Sequence, residues 1–339
     1  MSLKKILLIS TGGTIASVTT ANGKTPSFGA SKLLELVPDI GNLYLVDTSD
    51  PLCIDSSNMQ PEDWQTIAWT AFQGLVSHDG VVISHGTHTM AYTASALTFM
   101  MQNISKPVVL TGAQIPAAEN NSDAVDNLKD AFLFAGEPVP GVFIVFDSKV
   151  FLGCRSTKTN NTKFNAFESI NYPLVATIQN GKIFYNKIPK PPNKIPSLLT
   201  CIDSSVFLLK VIPGTKPEVL DAIHSLGYRA VVIECFGAGG VPSVKRNLLK
   251  KIRALIKRGI VVALTTQCLR GGVDLTIYDV GRASLHAGVI SGLDMTTEAL
   301  VTKLMWALGQ SKKPDNIIKI MTTNYADEFT PGYRIKIIR

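Results

Sequence analysis

Lys4-Lys5-Ile6-Leu7-Leu8-Ile9-Ser10-Thr11-Gly12-Gly13-Thr14-Ile15-Ala16-Ser17 is the stretch from which the fold can be read. A short apolar packet passes directly into two glycines flanked by hydroxyls. Packets without polar alternation are how strands buried on both faces of a parallel sheet read. Val81-Val82-Ile83 and Ile260-Val261-Val262-Ala263-Leu264 repeat the pattern. Helical spacing separates these packets, and such alternation predicts a parallel sheet covered by helices on both faces. Strands are predicted at 4–10, 43–47, 81–84, 107–111 and 142–146, and helices at 30–37, 61–73, 89–103 and 122–134. Pro61 suits the first turn of the second helix, with Glu62 and Asp63 behind it at the positive end of the helix dipole. Asn180-Gly181, between Val175-Ala176-Thr177-Ile178 and Lys182-Ile183-Phe184-Tyr185, predicts a two-residue hairpin turn.

At 339 residues the chain favours two domains, since one domain takes roughly 100–200 residues. Pro189, Pro191, Pro192 and Pro196 stand among lysines, and neither helix nor strand absorbs four prolines there. The expected organisation is an N-terminal domain over 1–186, a Pro-rich linker over 187–205 and a C-terminal α/β domain over 206–339. Alternation resumes after the linker, with strands near 206–210, 230–234 and 260–264 and helices near 216–225, 244–257 and 296–307. The fold class is α/β: a larger N-terminal parallel-sheet domain, Rossmann- or flavodoxin-like, and a smaller C-terminal α/β domain.

Composition excludes several classes of function. Forty-five per cent of residues are hydrophobic and 17% charged, but no apolar run approaches the ~20 residues of a spanning helix. The expectation is therefore no membrane partner. Thirty-three basic against 26 acidic residues give +7, yet the basic residues are dispersed. The longest cluster, Lys245-Arg246 through Lys250-Lys251 to Arg258, has the spacing of a solvated helix face, so no nucleic-acid partner is expected. Five scattered cysteines without C-x-x-C read as reduced thiols. The first strand starts too early for an apolar leader before Thr11, and cytoplasm is the expected location.

In an open parallel sheet, function gathers where strands end and loops begin. Four such places carry reactive groups. Ser10–Ser17 offers turn glycines, open amides and the hydroxyls of Thr11 and Thr14, without the G-x-G-x-x-G or G-x-x-x-x-G-K-[ST] spacing of nucleotide loops. Ser84-His85-Gly86-Thr87-His88-Thr89-Met90 puts Thr87 at the start of a helix, where a hydroxyl holds a water or an anion. His85 and His88 invite a zinc reading, but no third ligand accompanies them, and neither metal nor cofactor is expected. Leu110-Thr111-Gly112-Ala113-Gln114-Ile115-Pro116 can supply a backbone amide or carbonyl. Cys154-Arg155-Ser156-Thr157-Lys158-Thr159-Asn160 holds a lysine that becomes a base if it points inward and loses its proton.

Together these segments resemble one family. T-G-G-T-I-A-S at 11–17, G-T-x-T-M-A-Y-T-A-S-A-L at 86–97, T-G-A-Q-I-P at 111–116 and S-T-K at 156–158 look like the L-asparaginases, specifically the intracellular type I bacterial group. The likeness extends through Ile54–Pro61, Ala166–Pro173, Thr265–Cys268 and Leu304–Gln310. The family also includes one of the chains of the glutamyl-tRNA amidotransferases. The resemblance implies hydrolysis of the side-chain amide of asparagine, a small-molecule substrate, through a covalent acyl-enzyme. It implies Thr14 as nucleophile, Thr87 as the residue positioning water, and Lys158 as the base acting through the Thr87 hydroxyl. Asp55, Ser56 and Ser57 match the segment that grips the substrate's α-carboxylate, and backbone amides near Thr87 and Ala113 match the oxyanion donors. Residues 18–30 resemble a lid, and the resemblance implies a homotetramer built as a dimer of dimers.

Two departures from the family concern the site and its lid. Where the signature reads G-T-D-T-M, His88 stands in the place of the Asp that pairs with the lysine and receives the substrate's ammonium. A neutral imidazole accepts one hydrogen bond there and supplies no negative charge. The lid segment contains no tyrosine; Phe28 is its one aromatic residue. Three readings follow: an L-asparaginase that accommodates His88, which the retained Thr14, Thr87 and Lys158 favour; an amidohydrolase with shifted preference; and an inactive homologue that binds asparagine or aspartate.

Overall fold

The computed structural model describes residues 3–20 and 23–334. It forms two compact units, Met1–Thr200 and Cys201–Arg339. The first is built on an eight-stranded sheet of β1 (Lys4–Ser10), β2 (Tyr44–Ser49), β3 (Gly80–Ser84), β4 (Pro107–Thr111), β5 (Gly141–Phe146), β6 (Lys149–Leu152), β7 (Ala176–Gln179) and β8 (Lys182–Tyr185). Their order is β8-β7-β6-β5-β4-β3-β1-β2. The first five pair in parallel in the order 2-1-3-4-5, which is the flavodoxin-like arrangement. Ile6, Leu8, Ile9, Val81, Val82, Ile83, Val108, Val109 and Leu110 are fully buried. Each such side chain removed from water contributes about 1.5–3 kcal/mol, so the apolar packets hold the sheet centre.

The sheet is not wholly parallel, as the apolar packets alone had suggested. β6, β7 and β8 are antiparallel to their neighbours. The reversal occurs at Asp147 and Ser148, both left-handed with φ of 51° and 54°. Their identities lack the Asn-Gly signal that marks such a turn, but the Asp147 amide is held by Asn127 Oδ1 at 2.9 Å and the Ser148 hydroxyl by Asp130 at 2.8 Å. The hairpin read at Asn180-Gly181 is present, with φ of 49° and 70°.

Three helices position the site. Pro61–Ser77 starts at its proline, and Asp63 accepts the Gln60 amide at 2.8 Å. Met90–Met100 ends three residues before its predicted limit, because Met101–Gln102 is extended against Ser197–Leu198. That pairing, with the Leu199 amide on the Met100 carbonyl at 2.8 Å, ties part of the Pro-rich stretch into the first unit. Ala124–Ala135 follows Asp123.

The second unit carries four parallel strands in sequence order, Val206–Lys210, Ala230–Cys235, Val261–Thr266 and Ile290–Ser291. Val231, Ile233, Val262 and Leu264 face Leu248, Ile252 and Leu255 on one side. Val232 and Ala263 face Leu300, Leu304 and Leu308 on the other. The helix carrying the basic cluster begins only at Leu248, capped by Asn247, so Lys245 and Arg246 precede it. Two helices of this unit escaped the sequence reading: Asp279–His286, which contains Gly281, and Pro314–Thr322. The latter leads into a fully buried ion pair, Lys303 with Glu328 at 2.6 Å. Lys303 also donates to the Met321 and Thr323 carbonyls, and Glu328 accepts the Tyr325 and Ala326 amides. Each charge is satisfied; a single member left alone there would cost about 3–5 kcal/mol.

Candidate active site

The parallel strand order reverses between β1 and β3, and the loops leaving their carboxyl ends meet there. Sheet-like hydrogen bonding continues past the strands. Thr11 donates its amide and hydroxyl to the Ser84 carbonyl at 3.1 and 2.9 Å. The Gly13 amide donates to Ile54 O at 2.9 Å, and the His85 amide to Thr111 O at 2.8 Å. Gly13 has φ 77°, and a Cβ there would lie 2.2 Å from the Gly86 nitrogen. A Cβ on Gly86 would lie 2.3 Å from Ser56 Oγ. Segments 11–14, 54–57 and 85–88 are thus packed backbone on backbone. Thr14 opens a 3-10 turn on this platform, half-buried. Among the described residues its hydroxyl has no hydrogen-bond partner.

Across the platform, Lys158 arrives on the short strand Ser156–Lys158, paired antiparallel with Phe167–Ser169. Its Nζ donates to Thr87 Oγ1 at 2.6 Å and to Gln114 Oε1 at 3.2 Å. Thr87, almost wholly buried, donates its own hydroxyl to Gln114 Oε1 at 3.2 Å. Desolvation holds the half-buried lysine's pKa below its ordinary value. A neutral amine in this position can take the Thr87 proton, which makes the pair a base with a hydroxyl as its conduit. Gln114 donates its Nε2 to Lys163 O at 3.0 Å. Asp123 fixes the backbone beneath it by accepting the amides of Gln114 and Ile115 at 3.0–3.1 Å. Asn127 joins Asp123 to the Gly112 carbonyl, each at 3.0 Å.

The two histidines part company. His85 is fully buried, and desolvation pushes its pKa down to about 4, against the raising effect of the Gly86 carbonyl. Its Nδ1 meets Gly86 O at 2.7 Å and its Nε2 meets Thr93 Oγ1 at 2.9 Å, so both nitrogens are occupied as a neutral ring. His88 is exposed, with Nδ1 3.1 Å from Ser57 Oγ. The zinc reading does not survive this geometry, and among the described residues no group of three or more His, Cys, Asp or Glu side chains is arranged to hold a metal. Asp55 begins the turn Ser56–Asn58 and accepts the Ser57 amide at 2.7 Å. That hydrogen bond is the largest cause of its lowered pKa.

The structure therefore joins Thr87 to Lys158, and Asp55 and Ser57 to His88. Ser56 is buried, with its carbonyl receiving the Thr89 hydroxyl at 2.8 Å. Ala113 is buried beside Gln114. Thr14 stands on the adjoining loop, bonded to neither group. Sequence reasoning read the loop 110–116 for its backbone and missed Gln114 as a side-chain acceptor and Asp123 as its anchor. The glutamine lay in the quoted motif; Asp123 fell inside the helix predicted over 122–134. In the expected lid, Ser17–Thr20 pairs with Gly23–Pro26, while Ala21 and Asn22 lie outside the described residues.

Comparison with known proteins gives one answer. The family descriptions "Asparaginase, N-terminal" and "Glutaminase/Asparaginase C-terminal domain" match residues 5–191 and 205–321. An L-asparaginase of Thermococcus kodakarensis is 44% identical over 96% of this chain and 99% of its own. Its solved structure superimposes with a TM-score of 0.91, covering 97% of this chain and 100% of that one. L-asparaginase 1 of Escherichia coli strain K12 is 38% identical over 98% of this chain and 99% of its own. One chain of a glutamyl-tRNA(Gln) amidotransferase from Pyrococcus abyssi is 37% identical over 98% of this chain and 78% of its own. A structure described as a probable cytoplasmic L-asparaginase from Campylobacter jejuni is 28% identical with a TM-score of 0.81, covering 95% of this chain and 100% of that one.

The backbone platform predicts the effect of Gly13→Ala. A side chain at positive φ costs ~1–2 kcal/mol before any clash is counted. With the contact to Gly86 added, the variant should lose about 2 kcal/mol or more and melt at least about 4 °C lower by calorimetry. A Tm unchanged by the substitution would show that the two loops do not depend on each other.

Proposed function

The chain belongs to the asparaginase family, and from that membership we infer that it hydrolyses L-asparagine to L-aspartate and ammonia. The observation that carries the catalytic reading is the 2.6 Å contact of Lys158 Nζ with the Thr87 hydroxyl, a base and its conduit set beside the Thr14 loop. Thr14 Oγ1 attacks the side-chain amide carbon, and its proton passes to the leaving nitrogen as the C–N bond breaks. Ammonia departs and the β-aspartyl ester on Thr14 remains. A water held at Thr87 gives its proton through that hydroxyl to Lys158, attacks the ester carbon and releases aspartate, the proton returning to Thr14. Backbone amides near Thr87 and Ala113 receive the developing oxyanion, each such donor contributing about 2.7–4 kcal/mol to the lowering of a barrier. Ser56 and Ser57, in the turn that Asp55 caps, hold the substrate's α-carboxylate. No step calls for a metal or cofactor.

Coverage favours this reading over the amidotransferase relationship, because the chain spans 99% of the Thermococcus L-asparaginase and 78% of the Pyrococcus amidotransferase chain. The same likeness to an L-asparaginase disfavours both an inactive binder and a shifted substrate. Among the described residues no helix is long and apolar enough to cross a membrane. The likeness to the Campylobacter structure, described as a probable cytoplasmic L-asparaginase, supports a cytoplasmic location. The family's pattern further suggests a homotetramer, assembled as a dimer of dimers.

Three measurements follow from this reading. Thr14→Ala should abolish ammonia release from L-asparagine while leaving the fold intact by circular dichroism; an unchanged rate would remove Thr14 as nucleophile. Because burial lowers the Lys158 pKa, its base form accumulates as pH rises, so kcat should climb along a limb centred below the ordinary lysine value of about 10.4. Lys158→Met should erase that limb with nearly all of the activity, and a surviving limb would assign it to another group. Sedimentation equilibrium should give four times the 36.6 kDa chain mass, whereas a monomer would contradict the assembly.

A further inference from the structure

Trp64, Thr93 and His85 form a buried line of hydrogen bonds that the mechanism above does not use. The Trp64 indole N–H donates to Thr93 Oγ1 at 3.1 Å, Thr93 Oγ1 lies 2.9 Å from His85 Nε2, and His85 Nδ1 lies 2.7 Å from the Gly86 carbonyl oxygen. The chemistry of these groups fixes every proton. A carbonyl only accepts, so Nδ1 carries the hydrogen. The buried ring is neutral, which leaves its lone pair on Nε2 and makes the Thr93 hydroxyl the donor there. The line therefore runs one way, from Trp64 through Thr93 and His85 to Gly86.

The Gly86 carbonyl and the Thr87 N–H belong to one peptide group. Such a group is planar and trans, so its C=O and N–H point in opposite directions. With the carbonyl held by a fully buried ring, the N–H is turned to the other side. Thr87 is almost wholly buried, and among the described residues its amide makes no hydrogen bond. A buried backbone donor without a partner is rare. The arrangement recurs in the neighbouring loop, where the Gly112 carbonyl accepts Nδ2 of buried Asn127 at 3.0 Å. The amide at the other end of that peptide, on Ala113, is likewise unpaired among the described residues.

We propose that His85 is a positioning residue that grips the Gly86 carbonyl so that the Thr87 N–H stands ready as an oxyanion donor, with Thr93 and Trp64 fixing the ring from behind. The proposal rests on the L-asparaginase reading and deepens it. When Thr14 Oγ1 adds to the amide carbon, negative charge develops on the carbonyl oxygen, and a donor already aimed at that place needs no reorganisation as the reaction proceeds. A peptide whose carbonyl accepts a hydrogen bond is also polarised into a better N–H donor. Burial pushes the His85 pKa down to about 4, so the grip is unchanged over the range in which Lys158 loses its proton.

Two substitutions in the full chain separate positioning from packing. His85→Asn puts an amide nitrogen in the place of Nδ1, keeping the donor to Gly86 and giving up Thr93. His85→Gln puts an amide oxygen in the place of Nε2, keeping Thr93 and giving up Gly86. Each strands one buried partner, so both should melt lower by calorimetry. In His85→Gln, kcat for L-asparagine should fall about tenfold, a part of the ~10²–10³ that loss of a whole oxyanion donor costs, with KM nearly unchanged. His85→Asn should keep most of the rate. Sulfur is a weak acceptor, so the β-thioamide analogue of L-asparagine draws less from an oxyanion donor. The ratio of kcat/KM for the amide to that for the thioamide should therefore drop severalfold in His85→Gln and hold in His85→Asn. Equal losses of kcat in the two variants, or a ratio in His85→Gln equal to that of the unaltered chain, overturns the proposal while the L-asparaginase reading stands. An unaltered chain that releases no ammonia from L-asparagine overturns that reading, and the proposal with it.

Discussion

The site depends on a contact that involves no side chain: the backbones of Gly13 and Gly86 lie so close that even a methyl group has no room between them. The same holds at Gly112, where a Cβ would lie 2.3 Å from the His85 carbonyl oxygen. Three loops leaving β1, β3 and β4 are therefore locked as an extension of the sheet. Thr14 and Thr87 inherit their positions from peptide groups, which have fewer ways to move than side-chain rotamers. A reaction that needs a nucleophile and a hydroxyl conduit in fixed register gains from being mounted on such elements. The reversal of strand order between β1 and β3 opens the crevice at which the two hydroxyl-bearing loops meet.

The electrostatics of Lys158 fit a base better than a structural ion. A carboxylate at ~4 Å would favour the ammonium form by about 4 kcal/mol at an effective dielectric constant of 20, or about three pKa units. In place of an acid the lysine meets Gln114, a neutral acceptor. Burial is then the sole cause of its lowered pKa. His88 continues this pattern, because an imidazole beside Thr87 leaves the lysine's immediate surroundings without the negative charge that would keep it protonated. The acid of the site, Asp55, is kept on the far side of Ser57 and satisfied by the Ser57 amide.

Much of this was legible in the sequence wherever a local pattern and the tertiary structure agree. The apolar packets named the five parallel strands of the first sheet and three of the four in the second, missing Lys149–Leu152 and Ile290–Ser291, and Asn180-Gly181 named its turn because a left-handed pair suits those residues. Thr14, Thr87 and Lys158 stood out as polar groups just beyond apolar strands. What was not legible came from long-range satisfaction. Asp147-Ser148 turns the chain because Asn127 and Asp130 hold it, and neither is nearby in sequence. Helix 90–100 stops where a strand from residues 197–198 arrives, which no local signal announces. Gln114 becomes part of the base only once Lys158, 44 positions away, is brought to it.

Asp123 shows how the fold gives up a local preference for the site. At the N-cap of helix 124–135 its carboxylate makes no capping hydrogen bond. A good cap typically stabilises a helix by ~1 kcal/mol, and this helix goes without it from Asp123. The same oxygens instead accept the Gln114 and Ile115 amides and a proton of Asn127. Ser122 takes over part of the lost role by accepting the Ala124 amide at 3.1 Å. The exchange stiffens the loop that carries the acceptor for Thr87 and Lys158, so what the helix end forgoes in stability is returned as order in the proton path. Departures from local rules are expected where function sets the geometry, and in this chain the departure at Asp123 lies directly beneath Gln114, the acceptor of Lys158.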